Sequence, residues 1–372
     1  MFDSEPFRDT DLPSQDASPA EKDRRWRLWA SREMQQRGLL AHFILDGQIA
    51  QMSGDPTSTR HAANQLSQPS NDTAFEANNP DDWLLHMRSR PTSDMSFRSI
   101  FRSLFSSAGT VRLSENPLSA FSLRVVLEGL QSFVSDCEEV DVAIVGVPTR
   151  PEVRRALAQV HESITRNMEL PPADLLETLL RWHAICLDAA TNSSMLCRSL
   201  CSQHDIIQHV LGGGKGTKSR FDFTAWVRTD DARRALLHAV AIQDIVEQLP
   251  RGRAHVIHMP SSLFAAATVY GAFALAGLTT VNLPRNVDWK DTLFTEVDPC
   301  VILGELSGSA MSSETRRFIR GGEPPLLGGS STTRSLLYEL NSMQKLFRCL
   351  GSQWGVAVEM EQVVDRWISL SH

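Results

Sequence analysis

AWVRTDDARRALLHAVAIQDIVEQL, residues 225–249, carries the clearest helical period in the chain. Ala232, Ala235, Leu236, Ala239, Ile242, Val246 and Leu249 recur at helical steps and so share one continuous face at a period of 3.6 residues. Pro250 and Gly252 stop the pattern. Proline lacks the N–H a helix interior needs, and glycine suits the left-handed turn beyond a helix end.

Downstream, the uncharged run 259–284 is apolar at its centre, 263–278, and rich in alanine. A bilayer span needs about 20 strongly apolar residues, so this run reads as a buried core helix. Leu336, Leu337, Leu340, Met343, Phe347 and Leu350 form another helical stripe, and Val356, Met360, Val363, Val364 and Trp367 a last one. Upstream, an amphipathic helix is expected from residue 21 to a stop at Gly54-Asp55-Pro56, with others at 81–88, 96–107 and 117–138. Thr149-Arg150-Pro151-Glu152 and Pro171-Pro172-Ala173-Asp174 offer two further helix starts, since proline suits the first turn. Residues 140–147, VDVAIVGV, read equally as a short strand or a buried helical segment.

Residues 1–20 are rich in Pro, Asp and Ser and are expected to form a disordered acidic N-terminus. Residues 55–80 read as an ordered loop or linker, and 307–333, rich in Gly, Ser and Pro, as a mobile loop. Strands are few. The fold class is therefore all-α: an irregular multi-helix bundle with long loops, one helical domain over 21–372 with a sub-boundary near 140–150.

Apolar residues at 42% and charged residues at 22% allow a sizeable core. The net charge of −7 argues against a surface whose main task is binding nucleic acid. No secretory signal opens the sequence, and its six cysteines are scattered, so reduced thiols are expected.

Motifs that carry chemistry fail in specific ways. Gly212-Gly213-Gly214-Lys215-Gly216-Thr217 lacks the hydroxyl residue directly after lysine that a phosphate loop uses on Mg²⁺. His161-Glu162-Ser163-Ile164-Thr165 has threonine where a zinc protease needs its second histidine. Cys197, Cys201 and His204 could share a helix face as zinc ligands, with His209 a turn further on. Only Ser202 and Gln203 separate Cys201 from His204, whereas a zinc finger places about twelve residues between its pairs; the other reading is thiols packed in a core. His183 with Cys186, and His255 with His258, stand at i, i+3 and read as partners of nearby backbone. No Gly-x-Ser-x-Gly elbow is present. The basic clusters Lys22–Arg27 and Arg316–Arg320 read either as phosphate or import signals or as solvated faces.

Three stretches resemble the regulatory, or middle homology, region of fungal transcription factors. The first is Trp26-x-x-Trp29-x-x-x-Glu33-x-x-x-Arg37 followed by Phe43-Ile44-Leu45-Asp46. The second is Phe75-Glu76-Ala77 with Trp83 beyond it. The third runs from Trp226 to Pro260 and contains Asp231-Ala232-Arg233-Arg234-Ala235-Leu236-Leu237-His238-Ala239 and Ile257-His258-Met259-Pro260. The second and third are most similar to members carrying a pair of C2H2 fingers, while the Zn₂Cys₆ class shares the first. The resemblance covers roughly 21–285.

It implies a nuclear, non-enzymatic regulatory region controlling RNA polymerase II transcription of a metabolic or biosynthetic gene set, acting by contacts. The implied partners are proteins of the transcription machinery, a second copy in a homodimer and a small-molecule effector. No membrane partner is implied. DNA would be reached only through a zinc module absent here, and no cofactor is expected in this chain. Residues 1–20 hold no cysteine, no finger follows, and the helices that usually precede the Trp-x-x-Trp segment are missing. The chain is thus expected to be either the C-terminal part of a longer factor or a stand-alone relative without its DNA-reading end. The remaining readings are a helical small-molecule-binding protein or enzyme without a standard motif, and a protein-interaction scaffold. In the resembling stretches, the tryptophans read as anchors for one face of a long helix. Glu33 and Arg37 read as a pair on its outer face, and Asp231, Arg233 and Arg234 as braces for the 225–249 helix.

Overall fold

The computed structural model describes residues 12–53, 57–59, 61–89, 95–106, 118–138, 148–168, 170–211, 221–249, 256–294, 313–321 and 331–371. Among them are fifteen α-helices and one two-stranded sheet, so the fold is all-α. The helix expected over 225–249 divides in two: α9 (Phe223–Trp226) and α10 (Asp230–Gln248). Thr229 separates them because its hydroxyl accepts from Ala232 N at 3.1 Å and caps α10, with Asp230 and Asp231 in the first turn.

The helix upstream of the first break is α1 (Pro19–Ser53), about 50 Å long at 1.5 Å per residue. Then come α2 (Asp72–Phe75), α3 (Pro80–Ser89), α4 (Phe97–Phe105) and α5 (Ala120–Glu138). Both proline-marked starts hold: α6 is Arg150–Arg166 and α7 is Pro172–Ala190. At α6 the Glu152 carboxylate accepts from Thr149 N and Thr149 Oγ1, both at 2.8 Å, and the backbone bond holds its pKa below the ordinary value. Then follow α8 (Ser193–Gln203) and α11 (Met259–Leu275). α11 is buried almost all round, as a helix apolar on every face must be. It ends in a Schellman turn, with Gly277 at φ +90°, Gly277 N on Ala274 O and Leu278 N on Phe273 O. No helix among the described residues is long and apolar enough to cross a membrane.

The strands β1 (Thr280–Pro284) and β2 (Ser331–Ser335) pair antiparallel, Thr280 opposite Ser335 and Leu283 opposite Thr332. Between them lie α12 (Trp289–Leu293) and α13 (Glu314–Ile319), and α14 (Leu336–Leu350) and α15 (Val356–Leu370) close the chain. Two expectations are corrected here. The stretch 307–333 was expected as a mobile loop, but 313–321 carries α13 and 331–333 opens β2; the rest of it lies outside the described residues. Within the expected disordered 1–20, Leu12 packs near Trp29 and Trp83, Arg88 Nη2 donates to Pro13 O at 2.7 Å, and α1 starts at Pro19. Residues 1–11 and 140–147 lie outside the described residues.

Three apolar clusters hold the helices together. Trp29, Trp83 and Met87 join α1 to α3, with Ala74 of α2. A second cluster joins α4, α5, α6 and one face of α7. The largest joins α7, α8, α10, α11, α14 and α15. Helix α7 belongs to both of the larger clusters, so helices on either side of 140–150 pack on one another.

Candidate functional site

Helix α10 and the β1–β2 ribbon stand side by side and leave a groove between them. Its cavity is about 330 Å³, within the range of small-ligand sites. The floor comes from apolar residues that the helical and strand periods turn inward: Leu237, Val240 and Ala241 of α10, and Leu283, Val287 and Trp289 beyond it. The rim is polar. Arg334 of β2 reaches across to α10, where its Nη2 donates to both Asp244 oxygens at 2.8 and 2.9 Å. Its Nη1 lies 3.6 Å from Glu339 Oε1. Arg285, exposed at the mouth, has no ion-pair partner among the described residues.

Trp289 lines the groove and also packs on a pair of imidazoles: it stacks on His238 at 5.2 Å between ring centroids and meets His183 edge-on at 4.5 Å. His183 Nδ1 and His238 Nδ1 are 3.0 Å apart. Burial pushes His183 well below its ordinary pKa, and pushes His238 down to about 3, aided by His161 and Arg234. Both rings are therefore neutral near pH 7, with one Nδ1–H donating to the other nitrogen. Trp182 completes the cluster, lying 4.4 Å from His161 and donating from Nε1 to Leu157 O at 2.9 Å. General acid–base work needs a group within reach of a substrate. These rings are buried among aromatic side chains, so they brace α7 against α10.

A second polar cluster ties three helices together, α1, α5 and α7. Arg181 of α7 donates from Nε and Nη2 to the two oxygens of Glu128 on α5, at 2.8 and 2.7 Å. Their side chains are 0% and 1% exposed. Gln48 of α1 donates to Glu128 Oε1 at 2.9 Å, and Arg181 Nη1 donates to Gln51 Oε1 at 3.0 Å. Gln51 and Gln131 both donate to Asp188, at 2.9 and 3.1 Å. Gly47 is small because a Cβ there would stand 2.8 Å from Glu128 Oε2. The network is a buried lock between helices.

The resembling stretches also come together. Trp29 and Trp83 pack at 5.5 Å between ring centroids. Arg37 donates to Glu33 at 2.8 Å, to Asp72 at 2.9 Å and to Ser70 O at 2.8 Å, and its guanidinium lies 4.1 Å from the Phe75 ring centre. The expected Glu33–Arg37 pair is present but faces inward, not outward: Glu33 also accepts from Ser70 N at 3.0 Å and is buried. Arg233 donates to Ile319 O at 2.8 Å and so braces α10 against α13.

The zinc candidates are not brought together. Cys197 and Cys201 are buried on α8, while His204 caps the helix end and the chain then turns through Asp205 at φ +51°. The hydrogen bond from Cys201, with burial, pushes the Cys197 thiol far up. No group of three His, Cys, Asp or Glu among the described residues is placed to hold a metal ion. His258 faces Glu177 O at 3.3 Å and Thr165 donates to His161 O at 2.9 Å. His255 and 212–217 lie outside the described residues. The basic clusters are answered by carboxylates: Lys22 meets Asp81 at 2.8 Å, Arg27 meets Asp23 at 2.9 Å, and Arg316 meets Asp291 at 2.7 Å.

No known family model, curated protein or solved structure matches the chain.

Proposed function

We propose that the chain is a regulatory region of a nuclear transcription factor, acting by contacts on RNA polymerase II transcription of a metabolic or biosynthetic gene set. The observation that carries this reading is the way the resembling stretches are used. Trp29 of the first packs on Trp83 of the second, and Arg37, held by Glu33, lies over Phe75. The third supplies α10, which forms one wall of the groove and half of the imidazole pair. Residues similar to those of one family thus form shared interfaces instead of scattering. The polar clusters are internal braces, which fits a device that transmits contacts and not one that turns over substrate.

DNA recognition is assigned to a zinc module outside this chain. In a gel-shift assay the chain alone is expected to show no sequence-selective DNA binding at physiological salt. Tight selective binding would overturn the reading. The second reading, a small-molecule-binding protein, draws on the groove and its charged rim. Tethering the chain to a heterologous DNA-binding domain separates the two: a change in reporter output supports regulation, and an inert fusion supports a carrier.

A further inference from the structure

We propose that the groove between α10 and the β1–β2 ribbon binds a small organic monoanion, a carboxylate carrying a flat or branched apolar body. This goes beyond the regulatory reading and does not depend on it.

Size sets the first limit. A cavity of about 330 Å³ equals roughly eleven water volumes at about 30 Å³ each. A ligand of on the order of a dozen non-hydrogen atoms fills it. Surface chemistry sets the second. The floor offers Val240, Ala241, Leu283 and Val287, with the Trp289 indole to one side. A hydrated, fully polar ligand leaves that surface unpaired. An apolar body displaces water from it, and a flat one gains an aromatic contact with Trp289.

Charge sets the third. Two arginines and one aspartate line the cavity, a balance of one positive charge. Arg334 is already held by Asp244 and Glu339. Its role is to join the ribbon to α10 and fix the groove's width. Arg285, exposed at the mouth, has no ion-pair partner among the described residues and is free to meet a carboxylate there. The guanidinium fork favours that group over a point anion. Asn286 and Thr332 also line the groove and offer neutral hydrogen-bond partners to the second oxygen.

Trp289 links the site to the rest of the fold. A ligand in the groove meets the Trp289 indole, which also packs on His183 and His238. Occupation therefore acts on the α7–α10 contact, and it should alter tryptophan emission.

The test titrates the whole chain with naphthalene-2-carboxylate, its neutral carboxamide and the corresponding naphthylmethylamine, read by calorimetry and tryptophan fluorescence. The expected result is saturable one-to-one binding of the carboxylate, weaker binding of the amide and none of the amine. Arg285→Gln should weaken the carboxylate about tenfold, equal to about 1.4 kcal/mol, and leave the amide unchanged. Ala241→Phe, which fills the groove, should abolish both. Arg285 is exposed, so its variant keeps the test valid if the filled groove fails to fold. No saturable carboxylate binding below about 1 mM would overturn the proposal. So would equal affinity for carboxylate and amide, or an Arg285→Gln variant that binds like the parent. The titration reads binding alone, so its outcome stands apart from that of the tethered reporter.

Discussion

Lowering the pH from 7.5 to 5.0 should strip this protein of much of its stability through histidines held neutral inside it. His61 and His238 have two of the most depressed pKa values, about 4 and about 3 against an ordinary 6.5. Burial is the main cause in both; for His61 the nearby Asp46 charge offsets part of it. Between pH 6.5 and the folded values, the unfolded chain takes up protons that the folded chain refuses. Stability then rises with pH across that window and is lost as pH falls. At about 1.4 kcal/mol per unit, each of the two costs about 2 kcal/mol at pH 5.0, so together they cost about 4 kcal/mol. Whole domains are stable by only about 5–15 kcal/mol. His183 and His258, also pushed well below 6.5 by burial, act in the same direction. Asp188, raised by its own burial, acts in the opposite one and offsets part of the loss.

The assay is urea unfolding at the two pH values, on the parent and on His61→Leu. His61 packs edge-on against Phe43 at 5.3 Å, and neither ring nitrogen has a hydrogen-bond partner among the described residues. Leucine removes the proton site and an unsatisfied polar group, so the variant should be no less stable at pH 7.5. Its stability difference between the two pH values should shrink by about 2 kcal/mol. Equal pH dependence of parent and variant would refute the reasoning.

Other substitutions should act as follows. Glu128→Ala strands the Arg181 charge in a fully buried site and should cost about 3–5 kcal/mol in denaturant unfolding, whereas replacing both partners with apolar residues should cost far less. Gly47→Ala drives a Cβ to within 2.8 Å of Glu128 Oε2 and should lower the melting temperature, with a cost of about 1–3 kcal/mol. Thr229→Ala removes the cap of α10 and should cost about 1 kcal/mol, measured as a shift in the unfolding midpoint with unchanged slope.

The long helices were legible because three signals agree in them: an apolar stripe, a cap and a stop. Helix α11 was legible from composition alone. The start of α10 was read a few residues early, although Thr229-Asp230-Asp231 is a cap with two acids in the first turn, a signal already in the sequence. The ribbon was not legible. Its strands are five residues each and pair residues about fifty positions apart, and so short a run has no period of its own. The inward turn of Glu33 and Arg37 was missed because a charged pair at i, i+4 ordinarily faces water. Here Ser70, Asp72 and Phe75 replace the solvent. The Glu128–Arg181 lock was missed because its partners lie 53 positions apart on two helices, so no local spacing pairs them. The His183–His238 contact joins two helices, and nothing local in either sequence announces it. Trp289 lies on a five-residue helix, too short to show which way its side chain turns.

The central claim, that the chain regulates transcription by contacts, is tested most directly by tethering it. The chain is joined to a heterologous sequence-specific DNA-binding domain, and output from a reporter bearing that domain's site is measured against the domain alone. The account predicts a clear change in output that disappears with Glu128→Ala, which unlocks the helices, at equal protein level. Output equal to that of the bare domain, from a fusion shown to be folded and nuclear, would contradict it.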